Sequence, residues 1–302
     1  MKQAFLQCFW MGALLCLSGC FLNESITIED SEGFWQEAYP QGAPFAGLMV
    51  FTYNHELYRL NIAFGLEPEL ILPASTGQKS LVALSPDKSK IALLQDQNTL
   101  VILDTTGKEL DREPLADSPR DLGWGPNSQT VYYLANNTLG YYGPDLNINL
   151  QVEPGDEVYA VHVNPEGDVI YCLKKAGNPD EYAVIADFAN DQFDATIIPN
   201  EELTFVRLAP DGQSFLVASN SQSRSGSFNR VWTFEQGDKS WSNRSWKGAH
   251  AFPLVGTQGI GWFGGRFHGT GEIFYIEHAG RSSKLTTDFN MLTSFFGFDW
   301  KP

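Results

Sequence analysis

Cysteine is nearly absent from this chain of 302 residues once its first twenty are set aside. Cys8, Cys16 and Cys20 fall in that opening stretch, and Cys172 alone remains, inside the apolar run Val169-Ile170-Tyr171-Cys172-Leu173. That excludes a disulfide framework and a cysteine-based metal site. Cys172 is expected to be a buried, unreactive thiol. Basic residues are also scarce: 20 Lys and Arg stand against 36 Asp and Glu, a net charge of −16. Nucleic acids and anionic surfaces are recognised through Lys and Arg, so no nucleic-acid partner is expected. The chain's acidity reads as solubility, with a basic partner as the sharper alternative. The histidines are His55, His162, His250, His268 and His278. None has the His-Glu-x-x-His or another ligand spacing, so no metal is expected. No Gly-x-Ser-x-Gly elbow is present. Neither a cofactor nor a catalytic set is expected.

What the chain does have is a repeated phrase: an apolar run, a proline-led turn, a second apolar run. It reads LVALSPDKSKIALL at Leu81–Leu94, DLGWGPNSQTVYYL at Asp121–Leu134, AVHVNPEGDVIYCL at Ala160–Leu173 and FVRLAPDGQSFLVA at Phe205–Ala218. Pro86, Pro126, Pro165 and Pro210 mark it, at intervals of 40, 39 and 45 residues. Repeats of this length built from short strands are blades of a β-propeller. Proline in second place sets φ for a type I turn, and Gly closes two copies. The flanking runs are rich in Val, Ile, Leu, Tyr and Phe, as strands are.

Third strands follow in phase at Thr99–Gly107, Thr138–Leu146, Tyr182–Phe188 and Arg230–Phe234. Weaker fourth strands are expected at Phe193–Pro199 and Lys239–Trp246. Gly259–Phe267 and Ile273–Glu277, joined at Gly269–Glu272, read as a further blade in the same phase. Leu48–Tyr53 and Glu56–Asn61 read as a second and third strand without a first. Ser294–Pro302 supplies the missing strand if Trp300-Lys301-Pro302 is in step with Trp124-Gly125-Pro126. Pairing of the chain's two ends then closes a ring and leaves no open sheet edge. The expected fold is all-β: a six-bladed β-propeller of roughly 43 residues per blade, closed by its N- and C-terminal segments. Five or seven blades also fit, because Ser219–Gly256 is loosely patterned.

The apolar–Ser-Pro-Asp-Gly–apolar phrase resembles that of the TolB-like six-bladed propellers and the wider WD-repeat-like bacterial propellers. Lys88 and Ser128 replace the turn Gly in two copies, and Asn127 and Glu166 replace the Asp. The Gly-His…Trp-Asp pair of eukaryotic WD repeats is missing. TolB also has an α/β domain ahead of its blades, and Phe21–Ala46 is too short for one.

The opening MKQAFLQCFWMGALLCLSGC has one charge, Lys2, then an apolar stretch, Ala4–Leu17, too short to span a bilayer. Leu17-Ser18-Gly19-Cys20 resembles the lipobox of bacterial lipoproteins. The resemblance implies cleavage before Cys20, a diacylglycerol thioether on its sulfur and an acyl chain, such as palmitate, on its amino group. Several acyl chains hold a protein on a membrane where one does so only marginally. Phe21 stands where an Asp retains enterobacterial lipoproteins in the inner membrane, which favours the outer membrane facing the periplasm. The expected organisation is a signal peptide at 1–19, a lipidated acidic tether at 20–46 and a propeller at 47–302. The tether's Phe34, Trp35, Tyr39 and Phe45 are expected to pack on the propeller.

Three apparent motifs dissolve on inspection. Gly259-Ile260-Gly261-Trp262-Phe263-Gly264 spells the dinucleotide signature, but no helix follows it. Asp187, Asp191 and Asp194 lack the EF-hand's alternation and closing Glu, and read as a solvated hairpin. Most other acids, including Asp87, Asp104, Asp145 and Asp211, sit in turns. Asp121, Asp156 and Glu157 remain as carboxylates that could face a central channel, where propeller glycosidases place theirs.

One interval stands out: 59 residues separate Pro210 from Gly269. It concentrates aromatic and basic residues in an acidic chain, and such mixtures are typical of interface hot spots. The candidate binding residues are Trp241, Trp246, His250, Trp262, Phe263, Arg266 and His268. The plainer alternative is ordinary cross-strand packing, with Trp232 opposite Trp241. The expected function is a membrane-anchored, non-catalytic scaffold for a protein partner in the cell envelope. The competing expectation is a carbohydrate-active or other hydrolase with channel carboxylates.

Overall fold

The structure is a computed structural model. It describes residues 35–36, 47–62, 68–150, 152–164, 167–178, 182–188, 191–197, 202–208, 214–223, 226–235, 240–246, 250–256, 259–268, 271–278, 281–284 and 295–301. For 35–36 and for most positions from 187 to 296 it describes backbone only. The expected signal peptide, Cys20 and most of the expected tether lie outside the described residues.

Among the described residues the strands form six small sheets. In chain order they begin with β1 (Trp35–Gln36), β2 (Leu48–Tyr53), β3 (Glu56–Asn61) and β4 (Glu69–Leu72). The second sheet holds β5 (Lys79–Leu84), β6 (Lys90–Gln95), β7 (Thr99–Asp104) and β8 (Glu109–Pro114). The third holds β9 (Asp121–Trp124), β10 (Val131–Ala135) and β11 (Thr138–Tyr142). The fourth holds β12 (Glu157–Val163), β13 (Val169–Lys174), β14 (Tyr182–Phe188) and β15 (Asp191–Ile197). The fifth holds β16 (Glu202–Leu208), β17 (Ser214–Ser223), β18 (Gly226–Glu235) and β19 (Ser240–Trp246). The sixth holds β20 (His250–Gly256), β21 (Gly259–His268), β22 (Gly271–His278) and β23 (Arg281–Lys284). β24 (Phe295–Lys301) returns to the first sheet, whose order is β24-β2-β3-β4.

The orphan strands at the two ends of the chain do pair. β24 runs antiparallel to β2, from Leu48 opposite Lys301 to Tyr53 opposite Phe295. Gly297 is needed there: a Cβ on it would lie 2.4 Å from the Ser80 carbonyl oxygen of the next sheet. First strands of successive sheets neighbour one another, β24 beside β5, β5 beside β9, β9 beside β12 and β12 beside β16. β17 and β18 neighbour β20, and β20 neighbours β24. β1 adds to the sixth sheet parallel to β23, with Trp35 opposite Ser282.

Among the described side chains, β6 and β10 are apolar on both faces because each lies between two neighbouring sheets. Ile91 and Leu93 of β6 pack with Val50 and Leu57 of the first sheet. Ala92 and Leu94, on the other face of β6, pack with Leu122, Trp124 and Val131 of the third. Tyr132 and Leu134 then meet Val161, Val163 and Tyr171 of the fourth. This double burial explains why the repeat reads as continuous rather than alternating hydrophobicity.

The turns from Ser85, Gly125 and Asn164 close with the expected hydrogen bond, and the Pro210 turn lies outside the described residues. The amides of Lys88 and Ser128 donate back to the carbonyls of Ser85 and Gly125 at 2.9 and 3.2 Å. Lys88, Ser128 and Gly167 all have positive φ, at 60°, 53° and 94°. That left-handed conformation is why glycine fills this place in the consensus phrase.

The phase of the sixth sheet differs from expectation. Its first strand is β20, and the Gly269–Glu272 turn joins its second and third strands. The turn equivalent to the proline turns lies between β20 and β21, so the long interval compared two unlike turns. β20 escaped notice because Pro253 lies inside it, and proline usually argues against a strand.

Candidate functional site

The channel-facing expectation for the acids has a structural outcome. Asp121, at the start of β9, accepts a hydrogen bond on Oδ2 from the Val161 amide of β12 at 2.8 Å. Asp156 is buried, and its Oδ1 accepts from the Ala176 amide at 2.6 Å. Asp299 of β24, which sequence reasoning missed, is buried and accepts on Oδ2 from the Leu84 amide of β5 at 2.8 Å. An apolar strand interrupted by one Asp was the available signal for it. Asp121 and Asp299 satisfy backbone donors of the next sheet that would otherwise be unpaired, whereas Asp156 ties the start of β12 to the chain just after β13 within the fourth sheet. Trp124 and Thr52 make the complementary contacts: Trp124 Nε1 donates to the Ala83 carbonyl at 3.1 Å, and Thr52 Oγ1 to the Ser80 carbonyl at 2.7 Å.

Glu157 behaves differently. It pairs with Arg120, whose hydrogen bond holds the Glu157 carboxyl below its ordinary range. The Arg120 guanidinium lies over the Tyr159 ring at 5.7 Å, Tyr159 meets Tyr182 at 5.8 Å, and Lys174 Nζ sits 5.7 Å from the Tyr182 ring. These residues lie where first strands begin, second strands end and third strands begin. They therefore mark one end of the sheets, opposite the proline turns.

The side chains of Trp241, Trp246, His250, Trp262, Phe263, Arg266 and His268 lie outside the described residues, but their strands are placed. Trp246 ends β19 and His250 begins β20, four residues on. His250 is opposite Gly265, next to Arg266, and His268 ends β21. Up-and-down order puts Trp246, His250, Arg266 and His268 at the end opposite the proline turns, the end that carries Arg120 and Lys174. Trp241 begins β19 at the other end, and Trp262 and Phe263 are mid-strand. Trp232 is opposite Asn243, and Trp241 opposite Phe234, so the expected Trp232–Trp241 pair is offset by two residues.

The Gly-rich signature lies within a single strand, β21. Asp187, Asp191 and Asp194 fall in the β14–β15 hairpin, with Phe188 opposite Asp191. Cys172 is fully buried in β13, and burial, aided by the Asp121 charge, pushes its thiol far above the ordinary range. Among the described residues no cluster of His, Cys, Asp and Glu is placed to hold a metal ion.

The sheets, their order and their doubly covered faces define a β-propeller. Solved structures similar to this chain agree. TolB from Acinetobacter baumannii matches with a TM-score of 0.58 and 14% identity over 84% of this chain and 68% of its own. A protein of unknown function from Desulfotomaculum acetoxidans matches at 0.52 and 12% over 83% of this chain and 99% of its own. Hydrazine synthase of Kuenenia stuttgartiensis matches at 0.51 and 12% over 73% of this chain and 70% of its own. At these identities the likeness is one of fold, and the TolB-like resemblance holds at that level. No family model matches the sequence, and no curated protein matches it.

Proposed function

We propose that the six sheets are six blades of a ring closed by β24 on β2, and that this propeller is a lipid-anchored, non-catalytic protein-binding scaffold of the cell envelope. Residues 1–19 are the signal peptide, Cys20 carries the lipid, and 20–46 tether the propeller to the outer membrane on its periplasmic side. The partner docks on the end opposite the proline turns, around Trp246, His250, Arg266 and His268, with Trp241, Trp262 and Phe263 as supporting aromatics.

One observation carries binding over hydrolysis. Asp121, Asp156 and Asp299 accept hydrogen bonds from backbone amides, the first and last across sheet-to-sheet joints and Asp156 within the fourth sheet, so they serve the scaffold rather than converging on a substrate. Two carboxylates about 5–10 Å apart across an open site are what glycoside hydrolysis needs.

Cys20→Ser should move the protein from the membrane pellet to the soluble fraction; continued pelleting defeats the anchor. A photo-crosslinking residue at position 268 should capture a defined envelope protein, while one at Asp87, on the proline-turn end, should not. Equal capture at both ends removes the docking end from the proposal. Glycan hydrolysis by the purified protein, lost in Asp121→Asn, replaces the scaffold reading with the hydrolytic one.

A further inference from the structure

The third sheet has no fourth strand among the described residues, and the reason is visible in the chain that follows β11. Leu146, Ile148, Leu150 and Val152 are half-buried and pack on the core between the third and fourth sheets, while Asn147 and Asn149 are exposed. This alternation is that of a strand, yet the segment joins no ladder. Instead the chain turns at Gly143 (φ 96°), brings Leu146 to within 3.0 Å of a Cβ position on Gly125, and offers the Ile148 carbonyl to Tyr141 Oη at 3.0 Å. Residues 146–150, with Val152, therefore cross the face of the sheet and fill the gap between sheets. Among the described residues, no strand lies along the outer edge of β11.

Hairpin geometry identifies what that edge presents. Ala135 and Thr138 close a two-residue turn whose central Asn136 and Asn137 have φ of 50° and 64°. This is a type I′ hairpin, in which the closing residues form a hydrogen-bonded pair. Pairs alternate, so Thr138, Gly140 and Tyr142 bond to β10, while the amides and carbonyls of Leu139 and Tyr141 point outward. Edge strands are usually blunted by charge or proline. β8 has both, but Thr138-Leu139-Gly140-Tyr141-Tyr142 has neither. The surroundings carry negative charge. Asp111 of β8 accepts a hydrogen bond from Tyr142 Oη, Glu113 acts on the same phenol, and exposed Asp145 follows the strand.

We propose that the open edge of β11 binds an extended, Lys- or Arg-bearing segment of a protein partner by strand addition. Backbone pairing to Leu139 and Tyr141 supplies the contact, and Asp111, Glu113 and Asp145 select basic over acidic strands. The proposal rests on the protein-binding reading and names the chemistry of one contact.

Two capped, fluorescent heptapeptides test it with the full chain, one alternating Lys and Val and the other Glu and Val. The Lys–Val peptide should bind saturably and at least about tenfold more tightly than the Glu–Val peptide. Leu139→Pro removes an outward amide that β10 does not use and should weaken binding about tenfold or more. Leu139→Ala, which loses the same packing but keeps the amide, should bind nearly as the parent does. Glu113→Lys should weaken the Lys–Val peptide and strengthen the Glu–Val one. Equal binding of both peptides, or equal affinity of the proline and alanine variants, overturns the proposal. Self-association of the parent that Leu139→Pro abolishes would assign the edge to a second copy instead, which also overturns it. An envelope partner that cross-links at position 268 and still binds Leu139→Pro would leave the scaffold reading standing while ending this one.

Discussion

The second and third sheets begin with the same phrase and end differently. Both open on a proline turn, and their central strands are buried on both faces. After β7 the chain continues as Glu-Leu-Asp-Arg-Glu-Pro, and all six residues of β8 are exposed. After β11 it continues as Leu-Asn-Ile-Asn-Leu-Gln-Val, and the apolar members turn inward. A mostly charged segment gains nothing from the core and stays outside, where it completes the ladder. A segment with four apolar side chains gains more by filling the gap between sheets than by pairing at the rim. The outermost position is thus set by what the segment can bury rather than by the repeat.

The harshest way to break the comparison is to remove β24. Deleting 294–302 strips β2 of its partner and removes the Asp299 bond to Leu84, both next to the second sheet. The domain should lose its cooperative melting transition, with hydrogen exchange rising first in the second sheet and later in the third; an unchanged melting curve removes β24 from any closing role. A milder pair of substitutions tests the contrast directly. Ile148→Ser should cost about 1–2 kcal/mol in denaturant unfolding, because a half-buried apolar contact is replaced by a hydroxyl. Leu110→Ser, at a β8 position that is 50% exposed, should stay within about 0.5 kcal/mol. Equal costs would mean that residues 146–150 are not held in the gap.

The smallest effect concerns the contact that joins the two rims. The hydrogen bond to Asp111, with burial, pushes Tyr142 up to about 12, and the same bond holds Asp111 below the usual carboxylate range. A phenol raised in the fold contributes stability that is whole below its unfolded pKa and lost as pH rises through the folded value. A carboxylate lowered in the fold contributes stability that is lost as pH falls through its folded value. The contact should therefore weaken at both extremes. The absorbance difference between the parent and Tyr142→Phe should show one tyrosine ionising near pH 12, and in Asp111→Asn that step should move toward about 10. No movement would place Tyr142 away from β8.

The repeat was legible because proline turns and doubly buried strands both leave strong local signals. The pairing of Leu48–Tyr53 with Phe295–Lys301 was legible as a strand missing at one end and spare at the other. The sixth sheet was read out of phase because its first turn lacks the proline and β20 contains one. The inter-sheet roles of Asp121 and Asp299 were not legible, since a carboxylate on an inner strand looks the same in sequence whether it meets a substrate or a neighbouring amide. The open edge of β11 was hidden for a related reason: alternation announces an extended segment but not whether it joins the ladder or crosses its face.

The pairing of β24 with β2 also has a consequence for the order of events during synthesis. Among the described strands, β2 is made early and β24 after all the others, so β2 waits with a bare edge while the strands between them are assembled. Joining them is a contact of very large sequence separation, which is slow to form. During that wait the unfinished sheet is exposed to any other extended chain nearby. Selection for rapid and clean folding would therefore act on the seven residues of β24 more strongly than their small share of the core implies.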